Sequence, residues 1–366
     1  MRFRLLHQKI EKFPVSRGGG MQLRKKVMAT AILCSLVGSA AGAQDQKPGV
    51  VILATGGTIA GTAKSKTDTM TYQVASMGVQ ALIDAVPEMK EVATVSAEQV
   101  ANVNSDDIDQ GILLRLARTV NKALSDNAVH GVVVTHGTDT LEETAFFLDL
   151  TTAGPKPVVV VGAMRPASAI SADGPMNLLQ AVTLAANKDA ERRGAMVVLN
   201  DRIGSAFYIT KSNTTAVDTF RSTEQGYLGA FVGATPKFYY SPANPVGKPT
   251  FDVSSIHAFP KVSIVYMHED QDVEQIDAAI RSGAKGIVIA GAGNGGIPLT
   301  VKNRLTELTA SGFPVIRASR TGSGFTTKKT EGIAAGTLNP QKARILLMLA
   351  LSQQSDISTI RTYFNE

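Results

Sequence analysis

Thr58, Thr138 and Lys211 are the residues of this chain best suited to nucleophilic chemistry. Thr58 follows Thr55-Gly56-Gly57, a turn whose missing side chains let backbone come close to a ligand. Thr138 and Asp139 follow the run Gly131–Thr135 (GVVVT), and Lys211 lies in ITKSNTT. A threonine hydroxyl is a weak nucleophile until a base takes its proton. A lysine can be that base when burial disfavours its charged form. Thr138, Lys211 and Asp139 would together supply a hydroxyl, a base and an orienting carboxylate. Other hydrolytic chemistries lack their residues. The five histidines (His7, His130, His136, His257, His268) stand at no metal-ligand spacing, and no G-x-S-x-G is present.

Each of these residues also has a plainer reading. Thr138, Asp139 and Thr140 precede an apolar helical pattern and could simply cap it. Ser105 or Asp106 could likewise cap a helix running through Leu124. Lys211 taken alone would be an ordinary surface lysine, so only the combination points to catalysis. Two rival functions stay open at this level. Gly291, Gly293 and Gly296 satisfy G-x-G-x-x-G after a strand, with Arg317 and Arg320 at the end of the next, as in an NADP-dependent oxidoreductase. A periplasmic amino-acid-binding protein would also have two α/β domains and a cleft, but would need neither nucleophile nor base.

The positioning elements follow from hydrophobic patterning. Val50–Leu53 reads as a strand buried on both faces. The polar stretch 62–73, containing Tyr72, reads as a lid hinged at Gly56, Gly57 and Gly61. A helix is expected over 77–85, a strand over 99–103 and an amphipathic helix over 107–124. Strands at 131–135, 157–164 and 195–200 alternate with helices at 141–150 and 175–186. This alternation predicts a mostly parallel sheet, with ligands at the carboxyl ends of its strands. Residues 207–233 read as short strands and turns. The proline-rich segment 241–258 reads as a linker between a domain at 48–240 and a smaller α/β domain at 259–366. In the latter, strands are expected at 261–267, 286–290 and 314–318, and helices at 300–310 and 341–351.

Bulk properties add compartment and partners. The 366 residues carry a formal charge of +6, but residues 1–43 hold eight Lys or Arg and one acid. Beyond Ala43 there are 29 basic and 30 acidic residues, a net charge of −1, so the basic balance makes no case for nucleic acid. Arg24-Lys25-Lys26, the apolar run Val27–Val37 and Ala41-Gly42-Ala43 form a secretory signal pattern, too short for a membrane anchor. A periplasmic protein with no membrane attachment after signal removal is therefore expected. Cys34, the sole cysteine, lies in that leader, leaving a mature chain without disulfides or thiolate chemistry.

ATGGTIAG around Thr58 and VVVTHGTDTLEETA around Thr138 resemble the two signature segments of bacterial L-asparaginases. GAMRPASAISADGPMNL, the ITKSNTT run and TLNPQKARILLMLAL extend the resemblance over Pro48 to Phe364. With the leader, the chain resembles the periplasmic type II group, which includes glutaminase-asparaginases. The resemblance implies a flavodoxin-like mostly parallel sheet domain followed by a smaller α/β domain, assembled as a homotetramer. It implies hydrolysis of L-asparagine, with L-glutamine a second candidate, without metal or cofactor. Carried over, Thr58 is the first nucleophile with Tyr72 its lid partner, and Thr138, Asp139 and Lys211 form the second group. Ser105, Asp106 and Asp139 would hold the substrate's α-carboxylate and α-amino group, and backbone N–H groups near Gly57 and Thr138 the oxyanion. Asn294 and Glu331 match positions lent by a neighbouring subunit. The sequence departs from the pattern twice. Asp106 stands where Gln or Glu is commoner, and the stretch around Glu331 is short, with that residue the only acid in it.

Overall fold

The computed structural model describes residues 46–73 and 76–366. The leader, with its signal pattern and Cys34, lies outside the described residues. Among those described, no helix is long and apolar enough to cross a membrane.

Eight strands build the main sheet: β1 (Gly49–Gly56), β2 (Thr94–Val103), β3 (Val129–Thr135), β4 (Val158–Val161), β5 (Ala195–Leu199), β6 (Arg202–Ser205), β7 (Gly229–Val232) and β8 (Thr235–Phe238). Their order is β2-β1-β3-β4-β5-β6-β7-β8. The first five run parallel and the last three antiparallel. The parallel part thus has the 2-1-3-4-5 order of flavodoxin-like sheets, whose ligand site lies at the β1/β3 switch point. The smaller sheet is fully parallel, β9 (Val262–Tyr266), β10 (Gly286–Gly291), β11 (Val315–Ser319) and β12 (Ile333–Ala334), in that order. The expected two-part α/β architecture is met.

Side-chain alternation sorts each apolar run between two cores. Val132, Val134, Val158 and Val160 face one side of the main sheet, and Val133, Val159 and Val161 the other. On the second side lie α1 (Val79–Asp84), α2 (Met89–Val92) and α5 (Gly174–Ala185). On the first lie α3 (Gln110–Ser125) and α4 (Leu141–Thr151), and beyond them α8 (Pro340–Ser352). Helices α4 and α8 are apolar nearly all round because both are covered on every side. They pack on each other, and α8 also packs on the second sheet through Val288 and Ile316. The far face of that sheet, Ile287 and Ile289, meets α6 (Glu274–Arg281) and α7 (Leu299–Ala310). A last helix, α9, spans Ile357–Tyr363.

Several expected boundaries shift for local reasons. β2 begins at Thr94 rather than Gln99, since its exposed edge carries Ser96, Glu98 and Gln99, which mask a strand pattern. The helix expected from Asp107 starts at Gln110, because Asp109 is its N-cap and accepts from the Ile112 N–H at 2.7 Å. The strand expected to Asn200 turns back at Asn200-Asp201, both at positive φ, into the antiparallel β6. Helices α2, α6 and α9 were not expected. The segment 241–258 has neither helix nor strand, yet Phe251 and Val253 are buried in the shared core, so it is not a free tether.

Candidate active site

The carboxyl ends of β2, β1 and β3 lie side by side, and each continues into one of the segments singled out above. At the end of β1, Gly56 and then Gly57 take φ of 107° and 85°, and Thr58–Ala60 follow as a 3₁₀ turn. After β2 comes the 3₁₀ turn Ser105–Asp107, and after β3 the segment 136–140 leads into α4. The three segments touch. A Cβ on Gly57 would lie 2.3 Å from Gly137 Cα, and one on Gly137 would lie 2.9 Å from Ser105 Oγ. Thr55 Oγ1 also donates to the Thr135 carbonyl at 2.8 Å, tying the two strand ends together. Absence of side chains at Gly57 and Gly137 is thus what lets Thr58, Ser105 and Thr138 share one place.

Thr58 is buried, and its hydroxyl is 2.9 Å from the Tyr72 hydroxyl. Tyr72 gets there because Tyr72–Gln73 pairs antiparallel with Thr62–Ala63, so the expected lid is a folded-back ribbon. Its base is pinned to the 162–173 loop: Ala167 N–H donates to Gly61 O at 2.8 Å and Ala63 N–H to Ser168 Oγ at 2.8 Å. The second group is equally direct. Lys211 Nζ donates to Thr138 Oγ1 at 3.0 Å and to Asp139 Oδ1 at 2.6 Å. Lys211 is carried on a ribbon of Thr210–Lys211 and Phe220–Arg221. Because the Thr138 hydroxyl accepts from lysine, its own proton is left to give to another group. The arrangement therefore offers two hydroxyls, one paired with a phenol and one with an ammonium–carboxylate pair. Such a set can attack a carbonyl and pass a proton to a leaving nitrogen.

The plainer capping readings do not describe these residues. Thr140 takes the N-cap position of α4 without a side-chain cap bond, and its hydroxyl donates instead to the Ser105 carbonyl at 2.6 Å. Asp109, not Ser105 or Asp106, caps α3. Ser105 is buried against Gly137, and Asp106 is exposed beside it.

Asn294 and Glu331 are not brought into this group. Asn294 follows β10, and its amide donates to Thr327 Oγ1 at 2.9 Å and accepts from Thr327 N–H at 2.8 Å. Glu331 is 3% exposed, with its carboxylate taking the Thr330 hydroxyl and lying 4.0 Å from Arg317 Nε. The same guanidinium donates to the carbonyls of Asn294, Gly295 and Thr327. The glycine-rich run 291–296 is accordingly a closed turn bridged from Ala292 to Gly296, with α7 starting only at Leu299. A dinucleotide fingerprint would instead open directly into a helix N-terminus.

Three groups were missed on sequence. His136 is fully buried, its Nδ1–H donating to the Gly137 carbonyl at 2.7 Å, while Nε2 has no partner among the described residues. Burial pushes it down to about 4. Unfolded, it would titrate near 6.5, so between pH 6.5 and 4 the unfolded chain binds more protons. The stabilisation is complete above pH 6.5 and is lost as pH falls through 4, amounting to roughly 3 kcal/mol for about 2.5 pH units. Urea midpoints of the wild type should therefore drop more steeply from pH 7 to 4 than those of His136→Gln. Parallel profiles would remove this histidine from the acid response. The other two, Glu142 and Lys342, are buried charged residues in the first turns of largely apolar helices. That pattern was itself a readable sign of a buried partner.

Comparison with known proteins identifies the family of the chain. Residues 49–244 match the family "Asparaginase, N-terminal", and residues 261–364 match "Glutaminase/Asparaginase C-terminal domain". L-asparaginase 2 of Bacillus subtilis is 48% identical over 336 residues, covering 90% of this chain and 89% of that one. The "Probable L-asparaginase periplasmic" of Haemophilus influenzae is 42% identical over 346 residues, covering 91% and 98%. A solved structure, "Probable Cytoplasmic L-asparaginase" from Campylobacter jejuni, superposes with a TM-score of 0.83 at 44% identity, covering 87% of this chain and 99% of its own. With both family models matched in order and relatives this similar along nearly their whole length, the chain belongs to the asparaginase family.

Proposed function

We propose that this protein hydrolyses L-asparagine to L-aspartate and ammonia, with Thr58 as first nucleophile. The observation that carries the reading is the convergence of Thr58–Tyr72 and Thr138–Lys211–Asp139 at the switch point of the main sheet. Thr58 Oγ attacks the side-chain amide carbon as its proton passes to the Tyr72 oxygen, whose own hydroxyl proton goes to solvent, and backbone N–H groups at Gly57 and Thr138 stabilise the developing oxyanion. The Thr138 hydroxyl, relieved by Lys211, gives its proton to the departing nitrogen, and ammonia leaves. Water then attacks the acyl carbon, giving a proton through the Thr138 hydroxyl back to Lys211, and the ester bond breaks as Thr58 Oγ recovers a proton through Tyr72, releasing aspartate. Ser105, Asp106 and Asp139 grip the α-carboxylate and α-ammonium, which fixes the reacting amide.

Ammonia release from L-asparagine by the purified protein tests the reading directly, and absence of turnover would end it. L-glutamine in the same assay decides whether the longer amide is also used. Asp106→Ala should raise KM for asparagine by at most about 10- to 100-fold, the roughly 1.5–3 kcal/mol of a hydrogen bond to a charged group, with little change in kcat. With Asp109 already capping α3, an unaffected KM would leave Asp106 no part in substrate binding.

The leader pattern and the periplasmic name of the Haemophilus relative support export to the periplasm, although the Campylobacter relative is named cytoplasmic. Amino-terminal sequencing of protein from the periplasmic fraction checks the cleavage after Ala43. The family resemblance supports a homotetramer in which Asn294 and Glu331 serve a neighbouring site, checked by light scattering.

A further inference from the structure

We infer that Glu142 is the positioning residue for the Lys211–Thr138 pair, held in turn by the Asn339–Lys342 turn that opens α8. The inference rests on the amidohydrolase reading above and extends it to a part of the chain that touches no substrate.

Glu142 lies four residues after Thr138, in the first turn of α4, and is 4% exposed. One carboxylate oxygen accepts the backbone N–H of Lys211 at 2.7 Å. The other accepts from Asn339 Nδ2 at 3.2 Å and from Gln341 Nε2. The helix that begins beside Thr138 and Asp139 is therefore bonded to the main chain of the residue whose amine must meet both. Asn339 is itself fixed as the N-cap of α8, accepting from Lys342 N–H at 3.0 Å. Lys342 is buried, and its ammonium donates to the carbonyls of Ala206 and Phe207 at 3.0 Å each and to that of Ile209. These carbonyls belong to the turn that leads into Lys211. Two anchors thus grip the Lys211 ribbon, Glu142 of α4 after Thr210 and Lys342 of α8 before it. The second sheet and α8 thereby bear on a site built from the first.

A buried carboxylate with three donors tolerates no amide in its place without loss. Glutamine at 142 has one acceptor oxygen, so either Lys211 N–H or the Asn339–Gln341 pair loses its partner. The expected consequence is a small displacement of the Lys211 ribbon relative to α4. Misplacement near 1 Å costs a reacting group about 10²-fold.

The test uses the full-length protein and two variants. Glu142→Gln should lower kcat for asparagine by about 10- to 100-fold with KM within about twofold, because the substrate grip is untouched. Gln341→Met, which keeps the buried carboxylate and removes one donor at the start of α8, guards against a Glu142 variant that fails to fold. It should show the same split at about threefold or more, and the double variant should be no worse than Glu142→Gln alone. Acetylation of Lys211 by acetic anhydride, followed by peptide mass mapping, should speed up severalfold in both variants as its amine loses its fixed partners. Unchanged labelling overturns the positioning role, whatever the turnover. Faster labelling with unchanged kcat overturns its catalytic consequence. A wild type silent on asparagine would sink the proposed substrate instead, and Lys211 labelling would still judge Glu142.

Discussion

Thr138→Val is expected to lower kcat for asparagine by roughly 10⁴-fold or more, the scale of losing a member of a hydrolytic nucleophile–base set. Valine keeps the shape of threonine and its methyl packing beside Gly162, so the fold should hold. What disappears is the oxygen that accepts from Lys211 and the proton it would pass on. Lys211 retains Asp139, so no charge is left without a partner. Thr58→Ala should be as damaging, by removing the oxygen that meets Tyr72. Because the two hydroxyls serve one reaction, the double variant should be little worse than either single one. A Thr138→Val enzyme of near-normal kcat would reduce Thr138 to packing and leave Thr58–Tyr72 as the whole site. The measurement is steady-state ammonia release, with melting curves to show that each variant is folded.

Gly57→Ala is the second large expected effect, and it acts through backbone alone. Gly57 has φ 85° and ψ −172°, a region open essentially only to glycine, costing another residue about 1–3 kcal/mol. The added Cβ would also sit 2.3 Å from both N and Cα of Gly137, which are main chain and cannot rotate aside. The β1 and β3 ends must separate, carrying Thr58 away from Thr138. Activity should fall by at least about 100-fold. The melting temperature should drop by roughly 5 °C, given the strain and the size of the chain. Gly78→Ala is the matched control. Its φ is −76°, and a Cβ there meets nothing within 4 Å. Equal losses in the two variants would show a general intolerance of substitution rather than a close approach of two loops.

The chain's sequence by itself determined the parallel α/β class and the residues on which the proposed chemistry rests. Runs such as GVVVT and PVVVV can only be strands buried on both faces. Glycine pairs before threonine announce a strand end that must come close to something. Those are local signals, set by periodicity and by the special freedom of one residue type. Motif resemblance supplied the order in which the signature segments should work. The edge strand β2 was half missed for the converse reason, since its exposed polar side chains erase the alternation.

Only the tertiary structure decided what each reactive side chain meets. Asp109 caps α3 and leaves Ser105 to pack on Gly137, a choice among neighbouring polar residues that sequence does not rank. Tyr72 reaches Thr58 through a ribbon whose return path the polar stretch 62–73 does not announce. Glu331 turns inward to Arg317, although it was the one acid in its segment. Glu142 meets Lys211 from 69 residues away, and meets Asn339 and Gln341 from 197 and 199 residues away. A buried charge needs a partner, and that much can be read from an acid inside an apolar helix. Which partner answers depends on how two sheets close around α4 and α8, and that closure is a property of the whole packed core rather than of any stretch within it.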